Sequence, residues 1–206
     1  MKEKRFSISF DQLQKYKDLI CKYTNKIEKG EKEKGFDCKC GCGCDKCCHD
    51  LILVSRDEIE PIAETVKLMP RKQRERVINR ALEQEKVLTA NGITYERVRK
   101  IVFENNTSEI LLTKYKYYEL NLPCIFLEDH KCMIYDVRPT DCWTYRQYIS
   151  VDNCETGPGR RGASCHKNTE TAFMKELASL FHPEYESVIR FFEPLPLVLT
   201  KNMHLS

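Results

Sequence analysis

The chain lacks an apolar run long enough to cross a bilayer, and its first residues do not resemble a secretory signal. A membrane-spanning helix needs about 20 consecutive apolar residues, whereas the mean hydropathy of this 206-residue chain is −0.54. The opening Met-Lys-Glu-Lys-Arg carries charges of both signs in place of a signal peptide's apolar segment. We therefore expect a cytoplasmic protein with no membrane partner, in a compartment that keeps thiols reduced.

A strong charge imbalance and the common catalytic motifs are also absent. The formal net charge is only +3, which is too small to indicate a nucleic-acid partner. We find no phosphate-binding loop motif and no His-Glu-x-x-His. The sequence therefore leaves open whether the protein is an enzyme and which protein partner it has.

Cysteine, by contrast, is abundant and clustered. Six of the twelve cysteines lie in the eleven residues from Cys38 to Cys48. In a reducing compartment, such a cluster binds metal more often than it forms structural disulfides. Gly41 and Gly43 interrupt the run, which predicts a loop there. A cysteine inside a helix is different, and we expect Cys21 to be a small buried apolar residue.

Hydrophobic periodicity predicts a helix-rich α+β single domain with one small β-hairpin and a cysteine-rich metal-binding loop. We divide it into an N-terminal helix and linker (1–34), a cysteine-cluster domain (35–168) and C-terminal helices packed on the same domain (169–206). The predicted helices are 9–29, 55–69, 71–90, 94–104, 140–149, 169–181 and 183–192, with a charged linker at 30–34 and a loop at 152–164. Residues 107–120 fit helix or strand, and residues 123–135 fit a hairpin whose turn is 128–131.

Thiolates prefer four-coordinate sites around Zn²⁺, and a tight turn supplies two of them readily. Cys44 and Cys47 have that spacing, with Cys40 and Cys48 beside them. Side chains of adjacent residues diverge in a regular backbone, so we expect Cys47 and Cys48 to serve two metals, or two irons of one cluster, or to be one ligand and one core residue. The second half of the chain supplies further candidates: Cys124, Cys132, Cys142, Cys154 and Cys165.

Local geometry constrains three of these candidates. Across a simple four-residue hairpin turn, Cys124 and Cys132 would face opposite sides, so they meet only if Cys124 precedes the strand or a bulge resets the register. Cys142 should lie in the first turn of its helix. The helix dipole is expected to lower its thiol pKa there, which suits a ligand or a nucleophile.

The motifs Cys44-Asp-Lys-Cys47-Cys48, Pro123-Cys124 and Cys132-Met-Ile-Tyr-Asp-Val-Arg-Pro-Thr-Asp-Cys142 resemble the YkgJ-type cysteine-cluster family of zinc- or iron-chelating domains. The resemblance covers about residues 40–165. It implies metal or iron–sulfur binding, without an assigned reaction for most members. The ligand set that it implies is Cys40, Cys44, Cys47, Cys48, Cys124, Cys132, Cys142 and a last cysteine, Cys165 or Cys154. Trp143 stands where the family has Arg, and Cys38 and Cys42 are additional cysteines without an assigned role.

Three functions remain open at this point. The first is a metal-binding protein that holds Zn²⁺ or an iron–sulfur cluster between the two cysteine regions. The second is an iron–sulfur-dependent oxidoreductase or protein-modifying enzyme, by analogy with the similar lysine-N-methylases. The third is a thiol redox sensor or metal buffer that uses residues 38–42. His49 and His166, which directly follow cysteines, are candidate additional ligands.

Overall fold

The fold is helix-rich, as the sequence predicts, and combines eight α-helices with short antiparallel strand pairs in the described residues. The computed structural model describes residues 8–41, 43–156, 163–182 and 192–203. The helices are α1 (Phe10–Glu33), α2 (Arg56–Leu68), α3 (Arg71–Ala90), α4 (Tyr95–Phe103), α5 (Thr107–Glu119), α6 (Thr140–Thr144), α7 (Lys167–Phe181) and α8 (Leu195–Met203). The described segments also contain 3₁₀ turns at Lys46–His49, Tyr135–Val137 and Val151–Thr156.

Six short strands form three antiparallel pairs in the part of the chain that the structure describes. They are β1 (Leu53–Ser55), β2 (Leu127–Glu128), β3 (Lys131–Cys132), β4 (Tyr145–Gln147), β5 (Ala163–Cys165) and β6 (Phe192–Pro194). β1 pairs with β6, β2 with β3, and β4 with β5. The sequence predicts only the hairpin β2–β3, because the other two pairs join segments that are far apart in the chain.

Helix α1 begins as predicted but ends later. Ser9 accepts a hydrogen bond from the Gln12 backbone N–H at 3.1 Å, and the Gln12 side chain accepts from the Ser9 N–H at 2.9 Å, which is a complete capping box. The helix then continues through Gly30 to Glu33, so the expected linker at 30–34 is wrong. Glu31 is buried and pairs with Arg146, and this tertiary contact favours another helical turn.

The hairpin is shorter than predicted. Its turn is Asp129-His130 alone, and both residues have positive φ, at 47° and 59°. That geometry matches a two-residue primed turn, whose twist fits the flanking strands. Leu127 faces Cys132 in the register, and Cys124 lies before the strand, the first of the two arrangements in which it can approach Cys132.

Several other predicted elements differ from the structure. α6 stops at Thr144 instead of near residue 149, because Tyr145–Gln147 pairs with β5. The 3₁₀ turn Val151–Thr156 and strand β5 replace parts of the expected loop at 152–164. The expected helix at 183–192 lies outside the described residues except for residue 192, which begins strand β6. Helix α8 was not expected, whereas the ambiguous segment 107–120 contains helix α5.

Two groups of buried apolar residues form the interior. The larger joins α1, α2 and α7 to the segment 125–143, and Phe173 lies against Tyr16, Tyr23 and Trp143 within it. The smaller group joins α3, α4, α5 and α8 through Leu88, Val98, Tyr117 and Leu197, together with Leu51 and Ile93. Among the described residues, no helix is both long and apolar enough to cross a membrane.

Candidate metal centre

The two cysteine regions meet directly. The backbone N–H of Cys124 donates to the carbonyl of Cys48 at 2.6 Å. Cys48 belongs to the 3₁₀ turn Lys46–His49, so this bond fixes the end of the cysteine-rich run against the segment that leads into the hairpin. Residues 76 positions apart in sequence are therefore neighbours. The loop expected over the whole run is wrong at Cys47 and Cys48, which lie in that turn.

Helix α3 supports the second cysteine region from one side. Gln84 donates to the carbonyl of Pro123 at 2.5 Å, and Arg80 donates to the carbonyl of Leu127 at 2.8 Å. Arg76 forms an ion pair with Glu128 at 2.9 Å. These three side chains, spaced four residues apart on one face of the helix, hold the chain on both sides of Cys124.

Buried Glu58 positions the helix that carries Cys142. The Ser55 N–H and hydroxyl each donate to one oxygen of the Glu58 carboxyl group at 2.8 Å. The Thr140 N–H donates to the other oxygen at 2.7 Å, and the Thr140 hydroxyl also binds it. Glu58 therefore links the start of α2 to the start of α6. Burial raises the pKa of this carboxyl group despite the four donors.

Five thiols, those of Cys47, Cys48, Cys124, Cys132 and Cys142, lie close enough to influence one another electrostatically, and we call them the five-thiol cluster. All five residues are partly buried. Burial, followed by repulsion from Cys47, Cys124 and Cys132, raises the pKa of Cys142. Burial likewise raises the pKa of Cys124 to about 12, and Cys132 and Cys47 add to the effect.

The neighbouring Cys47 thiol, followed by burial, raises the pKa of Cys48. The start of α6 does not lower the pKa of Cys142, so that expectation is wrong, because burial and the neighbouring sulfurs raise this pKa. A helix of five residues has a small dipole, which loss of solvation outweighs.

The remaining candidate ligands lie around the cluster. Cys40 accepts a hydrogen bond from the Gln147 N–H at 3.3 Å, and burial, with the Cys38 and Cys47 thiols adding to it, raises the pKa of Cys40 to about 12. The Cys165 sulfur lies 3.7 Å from the Thr144 hydroxyl oxygen and 3.6 Å from a Glu170 carboxyl oxygen, and its single S–H donates to one of them at a time. Cys154 is buried, 3.9 Å from the Gln147 side-chain nitrogen. Cys44 lies in the segment before the 3₁₀ turn, and Cys42 is outside the described residues.

The histidines and Cys21 also have defined places. His166 is 2.6 Å from the Tyr148 hydroxyl, and burial is the main cause that lowers its pKa. His49 Nδ1 is buried without a hydrogen-bond partner in the described part of the chain. His130 reaches from the hairpin turn to Asp45 at 2.8 Å. Cys21 is exposed on α1, so the expectation that it is buried is wrong.

A polar network beside Cys38 was not expected from the sequence. Glu31 accepts two hydrogen bonds from the Arg146 guanidinium, each 3.0 Å, and one from the Tyr148 hydroxyl at 2.7 Å. Its position gives a signal that sequence reading could have used: Glu31 continues the buried face of α1 four residues after Ile27. A carboxylate at a core position indicates a buried cationic partner.

The chemistry of the donors fits a thiophilic metal, because neutral sulfur groups this close together ionise favourably only when a cation lies among them. Every cysteine that the structure describes is a free thiol. Within the described residues, however, no group of three or more Cys, His, Asp or Glu side chains is arranged to hold a metal ion. The described part of the cluster therefore has the donor atoms of a metal site, but its side chains are not arranged around a common point.

Comparison with known proteins gives no further information about this site. No family model matches the chain, and neither a curated protein nor a solved structure matches it. The resemblance to the YkgJ-type family therefore rests on the cysteine motifs alone.

Proposed function

We propose that this protein binds a thiophilic metal centre, either Zn²⁺ or an iron–sulfur cluster, through the five-thiol cluster. The observation that carries the proposal is the hydrogen bond from Cys124 to Cys48 at 2.6 Å, which brings together the two regions that hold all five thiols. Sulfur donors of this kind are the ligands that zinc and iron–sulfur centres take in proteins. A reducing compartment such as the cytosol would keep the thiols available.

The number of thiols bears on the kind of centre. One zinc ion of a structural site takes four ligands, whereas the cluster has five sulfurs, two of them on adjacent residues. A centre with several metal atoms can bind all five sulfurs, whereas a single zinc ion with four ligands leaves one sulfur unbound. The surrounding framework is already built, because Glu58 and α3 anchor the segments that carry Cys142 and Cys124. Metal binding then requires the sulfurs to turn toward a common point.

Cys40, Cys44 and Cys165 belong to the ligand set that the family resemblance implies, but we place them outside the proposed centre. Cys40 interacts with a single member of the cluster, Cys47, and accepts a hydrogen bond from the Gln147 N–H. Cys165 lies beside Thr144 and Glu170. Substituting each of these three residues by Ser should therefore reduce the bound metal less than substituting Cys124 or Cys142.

Elemental analysis of anaerobically purified protein tests the proposal. We expect zinc or iron to copurify, with visible charge-transfer absorption and acid-labile sulfide only if the centre is an iron–sulfur cluster. Cys124→Ser and Cys142→Ser should each lower the metal affinity by at least about 10-fold. Even removing a side chain that only orients a metal ligand costs that much, and these variants remove a ligand itself.

Cys21→Ser is the matched control, because Cys21 is exposed on α1, away from the cluster. It should leave the metal content unchanged. A folded wild-type protein that contains neither zinc nor iron, and takes up neither when reconstituted, would contradict the proposal. So would equal metal content in the Cys21, Cys124 and Cys142 variants.

A further inference from the structure

We propose that the contact between His130 and Asp45 closes the five-thiol cluster to reagents in solution and so slows exchange of its metal, an inference that rests on the proposed function. His130 Nδ1 lies 2.8 Å from Asp45 Oδ2. An ionised carboxylate only accepts hydrogen bonds, so the imidazole donates this one. Asp45 stands two residues before Cys47, and His130 stands two residues before Cys132. One side-chain contact therefore joins the two regions that carry the thiols.

Two contacts join the same two segments, 45–48 and 124–130, so the chain forms a closed loop there. At one end of the loop the Cys124 N–H donates to the Cys48 carbonyl at 2.6 Å. At the other end lies the side-chain contact described above. Three members of the five-thiol cluster belong to this closed loop: Cys47, Cys48 and Cys124. Parting the side-chain end therefore opens the chain around these sulfurs.

The two ends of the closed loop differ in exposure. The His130 side chain is 77% exposed and that of Asp45 is 21% exposed. The backbone bond at the other end joins two partly buried cysteines, and α3 holds the chain beside it through Arg80, which donates to the Leu127 carbonyl at 2.8 Å. Because an exposed pair adds little to stability, the side-chain end opens while the rest of the fold stays closed.

Asp45 is also tied directly to the cysteines that follow it. The Cys48 N–H donates to the Asp45 carbonyl at 2.8 Å, at the start of the 3₁₀ turn Lys46–His49. The Asp45 side chain does not cap that turn, so its carboxylate is available to the hairpin. When Asp45 moves away from His130, the turn that carries Cys47 and Cys48 moves with it.

Two substitutions of His130 separate the contact from the turn that presents it. The backbone there has φ 59°, in the left-handed region that glycine and asparagine adopt most readily. His130→Gly removes the side chain and keeps the turn, since Asp-Gly is a favoured pair for this turn type. His130→Asn is the matched control, because its amide nitrogen is as many bonds from Cα as Nδ1 is and still donates to Asp45. Asp45→Ala removes the contact from the other side.

The first measurement uses the metal-free protein. Iodoacetamide modifies the thiols, and mass spectrometry follows the tryptic peptide 47–56, which contains Cys47 and Cys48. We expect this peptide to be modified about two- to fivefold faster in His130→Gly and in Asp45→Ala than in wild type, the shift that loss of an exposed pair produces. The double variant should match the single variants. Peptide 18–22, which carries the exposed Cys21, should react at one rate throughout.

The second measurement is the rate at which the Zn²⁺-loaded protein loses its metal to an excess of chelator. His130→Gly and Asp45→Ala should again be about two- to fivefold faster, whereas His130→Asn should match wild type in both measurements. Equal rates in wild type and His130→Gly, or equal acceleration in His130→Gly and His130→Asn, would overturn the proposal. Protein that takes up no metal, yet shows the faster modification of peptide 47–56, would support the closing contact and contradict the proposed function.

Discussion

At the scale of single residues, Glu31 forms a buried ion pair with Arg146. Its side chain is only 5% exposed, and the Arg146 side chain that binds it is 12% exposed. Burial by itself would raise the Glu31 pKa, but hydrogen bonds from Arg146 and Tyr148 outweigh it and lower the pKa. The pair ties α1 to β4, the strand on which Lys39 and Cys40 rest.

Glu31→Gln should destabilise the protein by about 3–5 kcal/mol, because it removes the buried carboxylate that pairs with Arg146 and leaves only the more exposed Glu28 near that charge. Chemical denaturation measures the change. Since the folded-state pKa of Glu31 is lowered, its stabilising contribution is present above the unfolded pKa of about 4.3. The difference between wild type and variant should therefore shrink as the pH falls through the lower, folded-state pKa.

Glu28→Gln provides the control for this prediction. Glu28 also approaches Arg146, at 3.5 Å, but its side chain is 46% exposed. An exposed pair of this kind contributes about 0–1 kcal/mol, so the control variant should stay close to wild type. Equal losses in the two variants would show that the buried position of Glu31 has no special importance.

At the scale of the element, two glycines have opposite effects on stability: Gly30 weakens a helix, and Gly92 permits the turn that ends one. Gly30 lies inside α1, and a Cβ atom there would meet nothing within 4 Å. Gly92 follows the end of α3 with φ +72°, in the left-handed region that favours glycine. A Cβ at Gly92 also has space, with the nearest atom, Arg97 Nη1, at 3.6 Å. Only backbone conformation distinguishes the two positions.

The same substitution should therefore change stability in opposite directions. Gly30→Ala should stabilise the protein by about 0.5–1 kcal/mol, because alanine loses less conformational entropy in a helix. Gly92→Ala should destabilise it by about 1–2 kcal/mol, the cost of a left-handed conformation for a residue with Cβ. Thermal unfolding midpoints measure both, and each variant is the other's control. Midpoints that move in the same direction would contradict this account.

At the scale of the whole molecule, Phe173 connects the helix beside the cysteines to the rest of the core. Its ring centroid is 4.9 Å from that of Trp143, 5.7 Å from that of Tyr23 and 6.1 Å from that of Tyr16, all in edge-to-face arrangements. Trp143 directly follows Cys142, and it is the only tryptophan in the chain. Packing around α7 therefore supports α1 and the candidate metal centre together.

Phe173→Ala should destabilise the fold by about 3–5 kcal/mol, since it removes a buried ring and leaves a cavity. Trp143 reports the change directly, and its fluorescence in the folded variant should shift to the red as its surroundings loosen. Phe103→Ala, at a residue that is 70% exposed, is the matched control, and a surface change of that kind should stay within about 0.5 kcal/mol. An unshifted emission spectrum together with unchanged stability in Phe173→Ala would contradict the role assigned to this ring.

Much of the local structure follows from the chain itself. The helix predicted over 71–90, with Asn91-Gly92 at its end, matches α3 over its full extent, and Ser9 with Gln12 predicts the start of α1. These features depend on residues within one or two turns of each other, so neighbouring side chains and caps decide them. The sequence also shows the concentration of thiols between Cys38 and Cys48. The proposal of a metal centre follows from that concentration.

Contacts between distant segments decided what the sequence could not. The continuation of α1 to Glu33 depends on Arg146, and the change from α6 to strand β4 depends on pairing with β5. The meeting of the two cysteine regions also required the fold, because the Cys124–Cys48 hydrogen bond joins segments that are far apart in the chain. Local propensity determined where helices begin, whereas burial and long-range hydrogen bonds determined where they end and which sulfurs meet.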